Sequence, residues 1–222
     1  MLTDLPNLLT LSRIGAIPVL VVLVAVRAPA ADLGACLVFA YAAITDYLDG
    51  HFARRRRQLS DVGRMLDPIA DKLLVGAALM MLAGENRLGP LGLFPGLVIL
   101  LREILVSGLR EYLAGIRVGL PVTRLAKWKT GMQLVALGFL LAGDGGALVL
   151  QGLLRLGPPT LPALPATLIG DLLLWVAAAL TLVTGWDYLT AGLRHAGATR
   201  PRPAPRGAAV TAGEGHDPAP RG

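Results

Sequence analysis

The chain is poor in cysteine, in charge and in aromatic residues. Cys36 is the only cysteine among 222 residues, which excludes an internal disulfide and leaves the redox compartment unread. It lies in an apolar run, where a thiol packs as a small hydrophobe. Charged residues make up 16% of the chain, against about 25% in soluble domains. With 54% hydrophobic residues and a mean hydropathy of +0.61, that scarcity marks a membrane protein. The net charge of +6 does not point to nucleic acid, because the basic residues cluster between apolar runs rather than over a soluble face. The opening MLTDLPN lacks the basic stretch and small-residue cleavage site of a signal peptide, so the first apolar segment is expected to be retained. The chain has no internal repeat.

What is abundant is apolar sequence in spanning lengths. Six segments approach the roughly 20 residues that cross a bilayer: Leu8 to Val26, Leu33 to Arg54, Met65 to Ala83, Leu91 to Leu113, Leu125 to Ala142 and Thr167 to Leu189. The expected fold is an all-α membrane protein of six transmembrane helices. GDGGALVLQGLLRLGPPTLPALP, between the last two segments, is too rich in Gly and Pro for one long helix, and its VLQGLLRL core suits a short interfacial helix. With the amino terminus in the cytoplasm, Arg54 to Arg57, Arg64, Arg110, Arg117, Arg124, Lys127, Lys129 and Arg194 fall on the cytoplasmic side, and only Arg27, Arg87 and Arg155 on the other. Positive residues collect inside, so both termini are expected there. The domain expected over residues 1–196 is followed by a tail, 197–222, whose Pro, Gly and Ala bias reads as disordered.

Between the second and third segments lies TDYLDGHFARRRRQLSDVGRMLDPIADK, holding Asp46, Asp49, Asp67 and Asp71. On a helix, residues three or four apart share a face with Cβ atoms about 5–6 Å apart, so the aspartates form two pairs on adjacent helices. A carboxylate inside a membrane helix costs about 2.5–3.5 kcal/mol, or roughly 10–14 for four dispersed in lipid. Carboxylates this close also resist being ionised together. A wet cavity and shared divalent metal relieve both problems. An all-oxygen set without Cys or His selects a hard cation, Mg²⁺ or Mn²⁺, and two such ions suit phosphoryl transfer from a diphosphate. Gly50 and Ala53 lack bulk where a ligand or neighbouring helix would approach, and Gly63 suits a tight turn starting the third helix. The competing readings are structural hydrogen bonding, a proton relay, or an ion pathway.

The full pattern, Asp46-x₂-Asp49-Gly50-x₂-Ala53-Arg54-x₈-Gly63-x₃-Asp67-x₃-Asp71, resembles the signature of the CDP-alcohol phosphatidyltransferases, which displace CMP from a CDP-activated lipid or alcohol. The resemblance implies a six-helix membrane fold, often dimeric, with the site in a polar cavity facing the cytoplasm. Position by position, it makes Asp46, Asp49, Asp67 and Asp71 ligands of two ions and Asp71 also the general base. Gly50, Ala53 and Arg54 would contact the CDP moiety, Arg54 through phosphate oxygen. Arg55, Arg56 and Arg57 match no position of the signature and fit topology and anionic lipid heads.

Two further regions bear on the substrates. PNLLTLSR places Asn7, Thr10 and Arg13 on roughly one side of the first helix. Read plainly, Asn7 is a cap and Arg13 snorkels at the interface; a similar opening in the family lines the CDP site, which adds Asn7 to it. In LLREILVSGLREYLAG, Glu103, Ser107 and Arg110 form one helical stripe with Arg102 beside it. Lys127 and Lys129 follow at the entry of the fifth segment. Cations facing a cavity at that depth suit a second phosphate, and so a phosphorylated acceptor; positive-inside topology with a Glu103–Arg pair is the plainer account. REILVSGLRE and KWKTGMQLVAL are similar to bacterial family members that use CDP-diacylglycerol as donor and glycerol 3-phosphate as acceptor. That similarity implies Arg102, Arg110, Lys127 and Lys129 as the acceptor-phosphate site, a homodimer, and the bacterial cytoplasmic membrane as location. Alternatives are another acceptor within the family, as in a cardiolipin synthase or inositol-phosphate transferase, a membrane prenyltransferase, or a divalent-cation carrier.

Overall fold

The computed structural model describes residues 5–56, 61–115, 124–154 and 165–198; the side chains of 5–7, 47–56, 61–65, 67, 124, 126, 187, 191 and 193–198 lie outside that description. Among the described residues the regular structure is helical throughout: α1 (Leu5–Ala25), α2 (Pro29–Arg56), α3 (Asp61–Gly84), α4 (Leu93–Gly115), α5 (Arg124–Leu153) and α6 (Ala166–Ala198). α1, α5 and α6 each contain a stretch long and apolar enough to cross a membrane, at Leu8–Ala25, Lys127–Leu153 and Ala166–Thr190. α2, α3 and α4 have 28, 24 and 23 residues, about 42, 36 and 34 Å at 1.5 Å per residue. They are long enough to span, but their charge, which includes Asp46, Asp71, Arg102, Glu103 and Arg110, lowers their hydropathy. The candidate site residues read from the sequence are therefore among the ones that weaken the membrane signal.

The packing is that of helices in lipid. Only 28–33% of the residues in the three apolar stretches are buried inside the protein, and Val22, Leu37, Ile44, Leu73, Met80, Leu101, Leu172 and Leu182 point outward. Between helices sit Leu20, Phe39, Leu82, Ile99, Leu137, Leu140 and Leu174 with Ala35, Ala42, Ala78, Ala136 and Ala177. Where the surroundings are as apolar as the core, association depends on close packing, and small residues permit it. α5 is the central helix, packed on α6 and α2, while α1 lies against α2 and α3, and α4 against α6.

The helix ends differ from the sequence expectation in places that have physical causes. α5 continues beyond Ala142 to Leu153, with a break at Gly143 (φ 57°, ψ 179°), a left-handed backbone that glycine adopts without strain. The helix resumes earlier than VLQGLLRL because the next glycines serve packing: a Cβ on Gly146 would stand 3.1 Å from the Leu33 backbone nitrogen. Asp144 then binds the start of α6, accepting from the Thr167 amide (3.0 Å) and hydroxyl (2.8 Å). Gly63 lies inside α3, which already runs at Asp61, and so does not start that helix with a turn. Asn7 likewise lies within α1 and does not cap it. α6 runs to Ala198, two residues past the expected domain boundary, and the rest of the tail lies outside the described residues.

Candidate active site

The helices bring two sets of polar residues to opposite ends of the bundle. At one end α2 begins, α3 hands over to α4, and α6 begins. Here Arg87 pairs with Asp32 (2.7 Å) and Arg27 with Glu85 (2.5 Å), and Asp171 accepts from the Gly89 amide (3.1 Å). The two described basic residues expected on the far side of the membrane are thus each neutralised by a carboxylate.

At the other end lies a cavity of about 670 Å³ whose lining includes Asp46, Asp71, Lys72, Arg102, Glu103, Ser107, Arg110, Lys127, Lys129, Thr130 and Tyr188. Its walls come from the end of α2, the start of α3, the end of α4, the start of α5 and the end of α6. Asp46 and Asp71 of the aspartate signature and all four proposed acceptor-phosphate residues therefore share one chamber. Asp46 and Asp49 are on α2, and Asp67 and Asp71 on α3, so each pair has the helical spacing read from the sequence. The side chains of Asp49, Asp67, Gly50, Ala53, Arg54 and Asn7 lie outside the described residues.

Within the chamber, charges are distributed unevenly. Arg13, 1% exposed, donates from Nη1 to Asp46 Oδ1; the Asp46 side chain is about half exposed to the cavity. Arg13 therefore does not snorkel. It turns into the bundle, where it meets the Asp46 carboxylate. Lys129 is equally buried and donates to Glu103 Oε1, which also accepts from Arg102 Nη1 at 3.2 Å. The Glu103 partner is thus a lysine of α5 as well as its neighbouring arginine. Arg110 and Lys127 are exposed to the cavity, the positions from which a cation can meet an incoming anion.

Sequence reasoning missed the contribution of α6. Arg102 Nη2 donates to Thr184 Oγ1 (3.0 Å), and Thr184 donates in turn to the Leu180 carbonyl (2.8 Å). The Tyr188 ring lies beneath both Arg102 and Arg110. Thr181, Thr184 and Tyr188, spaced i, i+3, i+7 and all buried, form a polar stripe on an apolar helix; that spacing was the available signal.

The possible metal donors in the lining are carboxylate and hydroxyl oxygens, with neither imidazole nor thiol, a donor set suited to a hard divalent cation. Among the described residues no three such ligand side chains converge; two of the four aspartates of the signature are outside that set. A second cavity, about 710 Å³, adjoins the first through Asp71, Lys72, Glu103, Thr130 and Leu134, and is otherwise lined mainly by apolar residues such as Ile14, Ile17, Ile69, Leu73, Met80 and Leu100.

The family model for CDP-alcohol phosphatidyltransferase matches residues 3–184, which includes the whole aspartate signature and every wall of the cavity except its Tyr188 edge. A CDP-diacylglycerol–glycerol-3-phosphate 3-phosphatidyltransferase of Rickettsia bellii (strain RML369-C) is 42% identical over 188 residues, covering 85% of this chain and 94% of its own. Proteins of the same name from Cereibacter sphaeroides, 41% identical over 214 residues (86% of this chain, 96% of the relative), and Bacillus subtilis (strain 168), 36% identical over 199 (84% and 94%), are similar along the same length. The chain is a member of the CDP-alcohol phosphatidyltransferase family.

Proposed function

We propose that this protein transfers the phosphatidyl group of CDP-diacylglycerol to the sn-1 hydroxyl of glycerol 3-phosphate, giving phosphatidylglycerophosphate and CMP. The observation that carries this reading is the single chamber joining Asp46 and Asp71 to Arg102, Arg110, Lys127 and Lys129; the names of the full-length relatives support it. Family membership sets aside the prenyltransferase and the cation-carrier readings.

In the mechanism, the acceptor's phosphate is held by the cationic wall, with Arg110 and Lys127 exposed to meet it and Arg102 fixed behind them. This leaves the sn-1 hydroxyl directed toward Asp71, which takes its proton as general base. The hydroxyl oxygen forms a bond to the lipid-side phosphorus, the bond from that phosphorus to the bridging oxygen breaks, and CMP leaves with the electron pair. Arg54 offsets the charge on the departing CMP, with Gly50, Ala53 and Asn7 around the nucleotide. Asp46, Asp49, Asp67 and Asp71 would hold two Mg²⁺ or Mn²⁺ ions, which supply neutralisation of the diphosphate charge. The adjoining apolar cavity suits the acyl chains of the donor, since it meets the polar chamber at Asp71.

In the membrane, all six helices span, with the chamber and both termini on the cytoplasmic side of a bacterial inner membrane. Residues 1–196 form the catalytic unit and 197–222 a cytoplasmic tail. The exposed apolar face of α4 (Leu97, Leu101, Ile104, Leu105) suits a second copy in a homodimer as well as lipid.

The cationic wall would also accept another phosphorylated alcohol, such as an inositol phosphate. A panel of labelled acceptors, offered with CDP-diacylglycerol to the purified protein, decides between them. Label from glycerol 3-phosphate is expected in lipid; transfer to another acceptor and none to glycerol 3-phosphate would reject the assignment.

A further inference from the structure

The cationic wall is built by two helices. Arg102 and Arg110 are eight residues apart on α4, about 12 Å along its axis, and two long cationic side chains at that separation repel one another and sample solvent unless something gathers them. Tyr188 of α6 occupies the place where that happens. Its ring is buried, at 4% exposure, and the two guanidinium carbons lie 5.6 and 5.5 Å from the ring centroid, within the range in which an aromatic face attracts a cation. The same face of α6 fixes Arg102 twice more: through the Thr184 hydroxyl at 3.0 Å, and at Gly185, where an added Cβ would stand 3.0 Å from Arg102 Cγ. Among the described residues nothing comparable fixes Lys127, which is exposed to the cavity.

We propose that Tyr188 is a positioning residue that gathers Arg102 and Arg110 into one clamp for a phosphomonoester, so that the end of α6 sets the preference for a phosphorylated acceptor. The inference rests on the reaction proposed above, in which that phosphomonoester belongs to glycerol 3-phosphate. The ring is the working part: its π system attracts the two guanidiniums while their N–H groups stay directed at the anion, a division that a planar, multi-donor cation permits and an ammonium does not. The clamp serves the acceptor's phosphate and not the donor's diphosphate, because the diphosphate belongs with the aspartates of α2 and α3.

The experiment compares the full-length protein with Tyr188→Leu and Tyr188→Phe in mixed micelles, measuring KM for each substrate, kcat, and glycerol 3-phosphate binding by calorimetry without the donor. Loss of the ring in Tyr188→Leu is expected to raise KM for glycerol 3-phosphate, and to weaken its binding, about tenfold. The KM for CDP-diacylglycerol stays within about twofold, as it does when only one substrate's binding is lost. Tyr188→Phe, which keeps the aromatic face, restores the acceptor KM to within about threefold of the unsubstituted protein. An acceptor KM unmoved in Tyr188→Leu, a parallel rise of both KM values, or a Phe variant as impaired as Leu would each overturn the proposal. Should Tyr188→Leu not fold, fluorinated phenylalanines at position 188 weaken the ring's attraction at nearly constant size; acceptor affinity falling with each fluorine supports the clamp, and a flat series overturns it. Failure of the reaction reading looks different. The unsubstituted protein would then transfer nothing to glycerol 3-phosphate, while binding of that phosphomonoester and its dependence on position 188 still decide the clamp.

Discussion

At the scale of single residues, the proposed mechanism separates the charges that would do chemistry from those that hold other charges in place. Asp71 lines both the polar and the apolar cavity, where an acceptor hydroxyl and a lipid-linked phosphorus would meet. Asp71→Asn is expected to lower kcat by about 10²–10⁴-fold, the range supplied by a general base, while binding of CDP-diacylglycerol persists in part; near-normal turnover would remove Asp71 from that role. Arg13 acts through Asp46, whose Oδ1 it engages, leaving the rest of that carboxylate toward the cavity. Groups that orient a metal-binding side chain typically contribute 10–100-fold in metal affinity, so, on the metal role proposed for Asp46, Arg13→Gln is expected to raise the Mn²⁺ concentration for half-maximal binding by about that factor. Titration of Mn²⁺ by its paramagnetic resonance signal measures this without turnover. Arg110→Ala and Lys127→Ala are expected to raise KM for glycerol 3-phosphate about tenfold, with a smaller effect on CDP-diacylglycerol, since a charge-assisted hydrogen bond to phosphate contributes on the order of 1.5–3 kcal/mol. Equal effects on both substrates would contradict the division of the chamber.

Much of this was legible in the sequence because helical spacing places residues on faces without any knowledge of the partner helix. The aspartate pairs and the Glu103–Ser107–Arg110 stripe were read that way, and those of their residues whose side chains are described line one cavity. What spacing cannot tell is which charge lies opposite which. Arg13 reads as an interfacial snorkel until α2 supplies Asp46, and the Lys129–Glu103 pair joins residues 26 positions apart. Tyr188 and Thr184 went unseen because an isolated Thr or Tyr in an apolar helix is ordinary on its own.

At the scale of elements, α5 decides the geometry, since it packs on both α2 and α6. Its contact with α6 depends on Gly170, where an added Cβ would lie 2.7 Å from Leu140 Cγ and 3.1 Å from the Ala136 carbonyl. Leu140 is fully buried and has little room to turn. Gly170→Val is therefore expected to destabilise the protein by about 1–3 kcal/mol, the cost of overpacking, seen as earlier thermal unfolding in detergent. An unchanged transition would mean that the α5–α6 contact is looser than described. Element lengths were well anticipated where apolar sequence runs unbroken. The exceptions were α6, which runs past the expected Leu189 to Ala198, and α5, where the glycines from Gly143 to Gly146 read as a stop. One of them provides a left-handed break and Gly146 a close approach, and a glycine count cannot distinguish those uses.

At the scale of the whole molecule, the bundle has a neutralised end and an end proposed to be reactive. Arg27 and Arg87 are paired to carboxylates at one; at the other the exposed Arg110 and Lys127 line the same cavity as Asp46 and Asp71. If the reactive end faces the cytoplasm, a cysteine introduced at Thr199 in a Cys36→Ser background reacts with a membrane-impermeant maleimide only after the cells are opened, whereas one at Pro90 reacts in intact cells. The reverse pattern would invert the topology. The central claim is that the two halves of the chamber act on one reaction, and the most direct measurement is CMP release from CDP-diacylglycerol by the purified protein, with and without labelled glycerol 3-phosphate. The account expects CMP to appear only with the acceptor, in equal amount to label entering lipid. CMP released equally well without acceptor, with no label in lipid, would contradict it.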